Sequence, residues 1–468
     1  MTTEARTRDP RTVRELPGSR RPDLIAAGCG ALLVTAAVCI GQVIERADGT
    51  LRVNWPPLYA VWEPHLGFGT PAAITIALAV ITCGPALAER LPWRALLVTA
   101  WTASLAWIFS LALVDGWHRG VARRLTTRYE YLRAVDRFDD VGAALREFDR
   151  HILFGFPDPW PAHVAGHPPG AVLTFVGLDR IGLGGGSWAG IWCIVLGSTA
   201  SAAALVAVRA LADESLARRA APFLVLAPSA IWTGASADGY FTAVAAGSVA
   251  LLALAATGTG RSAAAAALGA GLLFGLTCYL SYGLTLFAVI SAAVLVIART
   301  ARPLPLWSAG ALVVPAAFTL AGFDWWQAYH LLVERYYQGA AGVRPYSYWV
   351  WANLACTVVL VGFATVAGLR RSLAAQPSAV RRLLRRRPSE GPPTSTDRLA
   401  LLVLAALLAV AVADLSGMSK AETERIWLPF ALWLLPAAAL LPAGTRRGWL
   451  TAQAVLALLV NHLLFTGW

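Results

Sequence analysis

A few short segments of this 468-residue chain hold the side chains suited to acid–base or phosphate chemistry. Asp115 closes an apolar run and opens a long polar segment. A carboxylate at that position can take a proton from a reacting hydroxyl, and a charge at the edge of a membrane helix is costly unless it is used or solvated. Further along lie Tyr129-Glu130-Tyr131-Leu132, with a second candidate acid, and Phe138-Asp139-Asp140, whose acids suit the cap of a surface helix. Asp238, in Ser236-Ala237-Asp238-Gly239-Tyr240-Phe241, either caps a helix or points a carboxylate into a cavity. The segment 416–425 brings Lys420, Glu422, Glu424 and Arg425 together between two apolar runs. Lys420 is the single lysine in a chain whose other basic residues are arginine. Its compact ammonium suits a phosphate, and Arg425 can hold one by its planar fork.

Two histidines add to this set. His163-x-x-x-His167 has metal-like spacing, but Gly166 and two prolines break any regular helix there and no third ligand is near. A zinc site is therefore not expected. In His167-Pro168-Pro169-Gly170 the prolines fix the backbone and hold His167 where the chain enters an apolar stretch. A later group, Asp324, Trp325, Trp326, Tyr329, His330, Tyr336, Tyr337, Tyr346, Tyr348, Trp349 and Trp351, reads equally as an interfacial aromatic belt and as a surface for stacking on sugar rings.

The elements that must position these residues are membrane helices. The chain is 57% hydrophobic and 14% charged, where a soluble domain carries roughly a quarter charged residues. Runs long enough to cross a bilayer recur at about 24–43, 71–88, 95–114, 188–210, 220–236, 240–257, 262–280, 282–298, 305–321, 348–368, 399–414, 427–441 and 449–466. They give an all-α bundle of about 13 spans, plus a stretch at 167–183 that is too short and too charged to cross. The expected organisation is a basic cytoplasmic tail (1–23) and one membrane domain (24–468). That domain carries an outer loop (115–166) with a surface helix near 142–152, and a basic cytoplasmic loop (370–398) containing Arg385, Arg386 and Arg387. Six arginines precede the first run. If 167–183 is re-entrant, the later basic links fall on the same side as the N-terminus, as the positive-inside rule requires. The histidines, Lys420 and most of the acids then lie on the outer face of the cell membrane. The net charge of +12 is explained by that topology, and nucleic-acid binding is excluded because no soluble fold presents the arginines. The six cysteines all fall in apolar runs and read as small hydrophobes. The Arg, Ala and Gly bias points to a high-GC bacterial genome.

Taken together, Asp115 after a membrane helix, the long outer loop, His167-Pro168-Pro169, Asp238 opening a later helix, and Glu424-Arg425 with Leu428-Pro429 resemble the GT-C superfamily. These are membrane glycosyltransferases that use polyprenyl-phosphate sugars, and the likeness is to their actinobacterial-type members, mannosyltransferases included. It covers about 90–468 and leaves the first two helices as an addition. Asp115 is followed by Gly116, so the acidic pair usual in that family is absent. The resemblance implies an inverting hexosyl or pentosyl transfer from a polyprenyl-phosphate donor in the lipid bilayer to an envelope glycan, lipid or protein. Asp115 or Glu130 would be the base, and His167, Asp238, Lys420, Glu424 and Arg425 would bind substrate. Some relatives use a divalent metal; nothing in this sequence demands a cofactor. A transporter or lipid flippase is the competing reading, and it would place charges mid-membrane and repeat internally. No clear repeat is visible.

Overall fold

The computed structural model describes residues 20–384 and 391–467. It is a multi-pass bundle of apolar helices. The helices that matter here are α1 (Arg20–Asp48), α2 (Gly69–Arg90), α3 (Trp93–Ala112), α4 (Val141–Arg146), α5 (Gly170–Arg180), α6 (Gly186–Leu211), α7 (Glu214–Val225), α8 (Ala237–Thr257), α9 (Gly260–Leu280), α10 (Phe287–Ala298), α11 (Leu304–Leu320), α12 (Trp325–Gln338), α13 (Tyr346–Leu384), α14 (Ser395–Leu415) and α15 (Arg446–Leu463). One two-stranded ribbon joins β1 (Ala60–Trp62) to β2 (Leu464–Thr466) in antiparallel register, with Val61 opposite Phe465.

Among the described residues eight helices are individually long and apolar enough to cross a membrane, or ten if two bent pairs are counted. The apolar runs alone suggest more because some of them are not continuous helices. The run at 220–236 ends as α7 at Val225 and resumes as a single turn, Ala230–Thr233. The run at 427–441 breaks into the short pieces Leu428–Ala431 and Leu435–Leu440. α5 has eleven residues, about 16 Å at 1.5 Å per residue, and does not cross on its own. α12 turns from α11 by 80°, so it runs along the bundle's end instead of through it.

Two further segments differ from the sequence reading. The basic stretch after 369 is not a loop at its start, because α13 continues to Leu384 and bends only at Gly362 (φ 79°), a conformation open to glycine. Arg385, Arg386 and Arg387 lie outside the described residues, as does most of the N-terminal tail. The helical spacing of Val141, Leu145, Phe148 and Ile152 is present, but α4 has only six residues and a 3-10 turn follows it. Leu145, Phe148 and Ile152 are buried, with Phe148 packed on Trp160 and Phe323. That face is therefore covered by protein and not by lipid. Cys29, Cys39 and Cys83 are exposed on the helix surfaces, and only Cys193 and Cys356 are fully buried.

The two ends of the bundle differ. One end, called here the loop face, carries 115–166. The opposite end, the arginine face, is stapled by ion pairs. Arg218 holds Glu214 (2.6 Å) and the carbonyls of Ala88 and Leu91 (2.7 and 2.8 Å), and Arg382 holds Asp397 at 2.8 Å. Asp23, 2% exposed, accepts from Arg371 at 2.6 Å and faces Arg370 at 3.2 Å. This group clamps α1, whose other side chains Leu24, Ile25 and Leu32 are exposed, onto α13. Stranding one partner of a buried pair costs about 3–5 kcal/mol. Asp23→Ala is accordingly expected to lower the melting temperature of the purified protein by several degrees. A melt unchanged from wild type would show that α1 is held by packing alone.

Candidate active site

Four segments far apart in the chain meet at the loop face. The first turn of α8 delivers Asp238. Ser236, and not Asp238, caps that helix, its hydroxyl accepting from the Asp238 amide at 3.2 Å. The Asp238 carboxylate is thereby left for Arg425, whose Nη1 donates to it at 2.5 Å. Both side chains are buried. The other arm of Arg425 lies 3.4 Å from His163 Nε2 and 3.4 Å from Glu422. On the far side of the same imidazole, His163 Nδ1 is 2.9 Å from Glu130. A guanidinium only donates, so His163 accepts at Nε2, while its other ring nitrogen lies within ion-pair distance of Glu130. The result is a line of close polar contacts, Glu130–His163–Arg425–Asp238, in which one arm of Arg425 reaches His163, 262 positions away in the chain, and the other reaches Asp238, 187 positions away.

Electrostatics fix the protonation of Arg425 and of two groups beside this line, Tyr131 and His167. Burial works against the charge on Arg425, but Asp238, Glu422 and Glu130 outweigh it and raise its pKa. Tyr131 packs its ring between His163, His167 and Phe175, at 5.9, 5.7 and 5.4 Å. Burial, then Asp238 and Glu130, push its phenol well above the ordinary value, so it stays a neutral O–H. Its Oη has no hydrogen-bond partner in the protein. His167 donates from Nδ1 to the His163 carbonyl at 2.8 Å. Burial lowers its pKa to about 4, against the opposing pull of Asp238. It is a neutral imidazole with an acceptor at Nε2.

The backbone delivering these groups is strained. Ala235 (φ 52°), Ala421 (φ 73°) and Glu422 (φ 63°) are left-handed without being glycine, each costing about 1–3 kcal/mol. They fall immediately before Asp238 and Arg425. The hairpin 416–425 is pinned from three sides. Asn353 donates to Asp414 and to the Ser419 carbonyl at 2.9 and 2.6 Å. The Lys420 amide donates to Tyr336 at 2.8 Å. Arg344 donates to the Lys420 carbonyl at 2.8 Å.

The remaining sequence candidates are placed differently. The Asp115 side chain is 8% exposed; one oxygen lies 2.8 Å from His65 Nε2 and the other accepts from Arg124 at 2.7 Å. Arg124 also reaches the Thr466 carbonyl at 2.5 Å, which ties Asp115 to the β1–β2 ribbon. The Lys420 ammonium donates to the Ala341 carbonyl at 3.0 Å and lies 5.2 Å from the Tyr337 ring. Glu424 is fully buried, one oxygen accepting the Tyr59 amide at 2.8 Å and the other unpartnered. His163 and Glu422 were not singled out as site residues from the sequence. The metal-like spacing did bring His163 to notice, but it has no sequence signal for its pairing with Glu130. Among the described residues no group of three or more His, Cys, Asp or Glu side chains is arranged to hold a metal.

Burial raises the Glu424 pKa from 4.5 to about 7, the Tyr59 amide opposing it. The folded protein therefore keeps this proton between pH 4.5 and 7 while the unfolded chain loses it. Stability from this group is present below pH 4.5 and lost as pH rises to 7, by about 3 kcal/mol in all. Wild-type protein should melt lower at pH 8 than at pH 5. Glu424→Gln, which fixes the neutral form, should remove that part of the difference; an identical pH dependence in the variant would refute the assignment.

No family model and no curated protein sequence matches this chain. Among solved structures it is similar to the Archaeoglobus fulgidus oligosaccharyltransferase, crystallised with zinc and sulfate. The TM-score is 0.46 and the identity 16%, over 78% of this chain and 51% of that one. The chain thus spans about half the length of the protein it matches.

Proposed function

We propose that the protein is a glycosyltransferase that moves a sugar from a polyprenyl-phosphate donor to a cell-envelope acceptor at the outer face of the plasma membrane. The observation that carries this reading is the convergence of Glu130, His163, Asp238 and Arg425 on one end of a membrane bundle. Three of these residues, Glu130, Asp238 and Arg425, lie in the segments that resemble the GT-C superfamily. The basic links gather at the other end, which the positive-inside rule assigns to the cytoplasm.

In the proposed reaction an acceptor hydroxyl attacks the anomeric carbon as the bond from that carbon to the phosphate oxygen breaks. The polyprenyl phosphate leaves with the bonding electrons, and the configuration inverts. Glu130 takes the hydroxyl proton, its orientation fixed by His163. Arg425, the cation among three carboxylates, meets the charge on the departing phosphate. Neutral His167 accepts a hydrogen bond from a substrate hydroxyl, and Asp238 holds the Arg425 fork in plane. Glu424 and Lys420 position the hairpin, and Asp115 anchors the ribbon beside it. No metal is assigned a part. A transporter would need unsatisfied charge at mid-membrane. Asp414 is instead bonded to Asn353, and Arg180 donates to the Phe138 and Asp139 carbonyls.

The test is transfer of radiolabelled sugar from prenyl-phosphate mannose, glucose or arabinose to envelope extract by purified protein in nanodiscs. Labelled product that depends on Glu130 supports the reading. Movement of donor across sealed vesicles with no product would replace it with a transporter.

A further inference from the structure

A second group of unpartnered polar side chains lies beside the first turn of α12, away from the Glu130–Asp238 line. Tyr282 is 4% exposed and its Oη has no partner. An unmet buried hydroxyl requires an explanation. Asp149 Oδ1 is also buried and unpartnered. Burial, and then the nearby Asp324 carboxylate, push the Asp149 carboxyl up to about 6. Asp324 caps α12 through Oδ1, accepting from the Trp326 and Gln327 amides at 2.9 and 3.0 Å.

Aromatic rings frame these groups. Tyr282 sits edge-on to Trp325 at 5.0 Å and 5.7 Å from Tyr329. Trp325 and Tyr329 stack at 5.6 Å. The Trp325 indole is fixed by its Nε1 donating to the Cys278 carbonyl at 3.1 Å. Trp326, 69% exposed, presents an open ring beside them at 4.9 Å. By contrast Tyr348 and Trp349 are buried in the bundle, so those members of the aromatic group are core.

We propose that Asp149, Tyr282, Trp325, Trp326 and Tyr329 form a binding site for a neutral saccharide, and that on the glycosyltransferase reading this saccharide is the acceptor. A pyranose offers C–H groups to an aromatic face and hydroxyls to the waiting phenol and carboxyl. The charges decide against an anionic ligand. Among the described residues neither Asp149 nor Asp324 is paired with a cationic side chain, and carboxylates without a paired cation disfavour a phosphate beside them. They equally disfavour an acyl chain. The 115–166 loop that carries Asp149 also carries Glu130 and His163, so an occupant here would be linked to the reacting groups through one segment.

The experiment is saturation-transfer NMR, with tryptophan fluorescence alongside, on protein in nanodiscs, where no sugar detergent competes. The probes are maltotriose, mannotriose and cellotriose, with inorganic phosphate as competitor. At least one trisaccharide should bind the wild type. Tyr282→Phe and Asp149→Asn should each weaken that binding at least tenfold while melting as the wild type does, and phosphate should not displace the sugar. In transfer assays the loss should appear as a raised acceptor KM. Binding of none of the three probes, binding indifferent to both variants, or displacement by phosphate would overturn the site. If the wild type binds a trisaccharide in a variant-sensitive way yet never turns over a prenyl-phosphate donor, the saccharide site stands and the glycosyltransferase reading falls.

Discussion

Arg425→Lys is expected to lower sugar transfer at least a hundredfold while the protein still inserts and folds. The guanidinium works as a fork: one arm meets Asp238 at 2.5 Å, and the other lies between His163 and Glu422 at 3.4 Å each. An ammonium is a point charge and cannot span these directions from one stem. Lysine would keep the charge, so the buried carboxylates remain compensated, but it would release His163 and with it the orientation of Glu130. Losing one preorganised donor to developing charge costs about 10²–10³ in rate, and the misplaced base adds to this. Arg425→Met goes further, because it strands buried Asp238 without a cation, at about 3–5 kcal/mol. Transfer rates and thermal melts of both variants separate the two effects. Lysine should spare stability and lose rate; methionine should lose both. Arg425→Lys with a rate within threefold of wild type would remove Arg425 from the mechanism.

The membrane character of the chain was legible because apolar runs of about 20 residues have no other stable home. The helix count was not, because hydropathy does not register where a helix stops. Residues 220–236 stay apolar through a break that serves the packing of Ala230–Thr233. The helix past Arg371 is unreadable for a different reason. Its arginines look like loop charges until Asp23, 348 residues away, is seen to take Arg371. The site divides in the same way. Asp238 and Arg425 drew notice as charges where apolar runs end, and Glu130 as an acid among aromatics in the long loop. His163 sits in the single helical turn Ala162–Ala165, too short to show a period in sequence, and its role exists only through Glu130 and Arg425, which sequence spacing does not connect. Lys420 shows the converse. A unique residue type looked purposeful, yet its ammonium meets a backbone carbonyl at 3.0 Å. Composition marks such a residue but does not say what it faces. The left-handed backbone at Ala421 and Glu422 carried no glycine to announce it.

Glu130→Gln should cost 10²–10⁴ in transfer rate, about the worth of a general base, with almost no change in fold. Glutamine has nearly the same shape and keeps an oxygen where Glu130 places one, 2.9 Å from His163 Nδ1, so the packing of the site survives. What is lost is the capacity of the second oxygen, buried and unpartnered in the protein, to receive a proton. Asp115→Asn is the informative comparison, since both residues are acids at the loop face. Asp115 accepts from Arg124 through one oxygen and sets the other 2.8 Å from His65 Nε2. Acting as base would disturb its pair with Arg124, which also reaches the Thr466 carbonyl and so anchors the β1–β2 ribbon. Asp115→Asn should therefore lower the melting temperature and leave the rate per folded molecule within about tenfold of wild type, far less than the loss assigned to a general base. The ratio of rate loss to stability loss is the quantity to measure, with purified variants assayed on the same donor. A large rate loss confined to Glu130→Gln identifies it as the base. The opposite pattern, with Asp115→Asn inactive and Glu130→Gln active, would move the base to Asp115, and His65 with Arg124 would then be the groups that set its proton affinity.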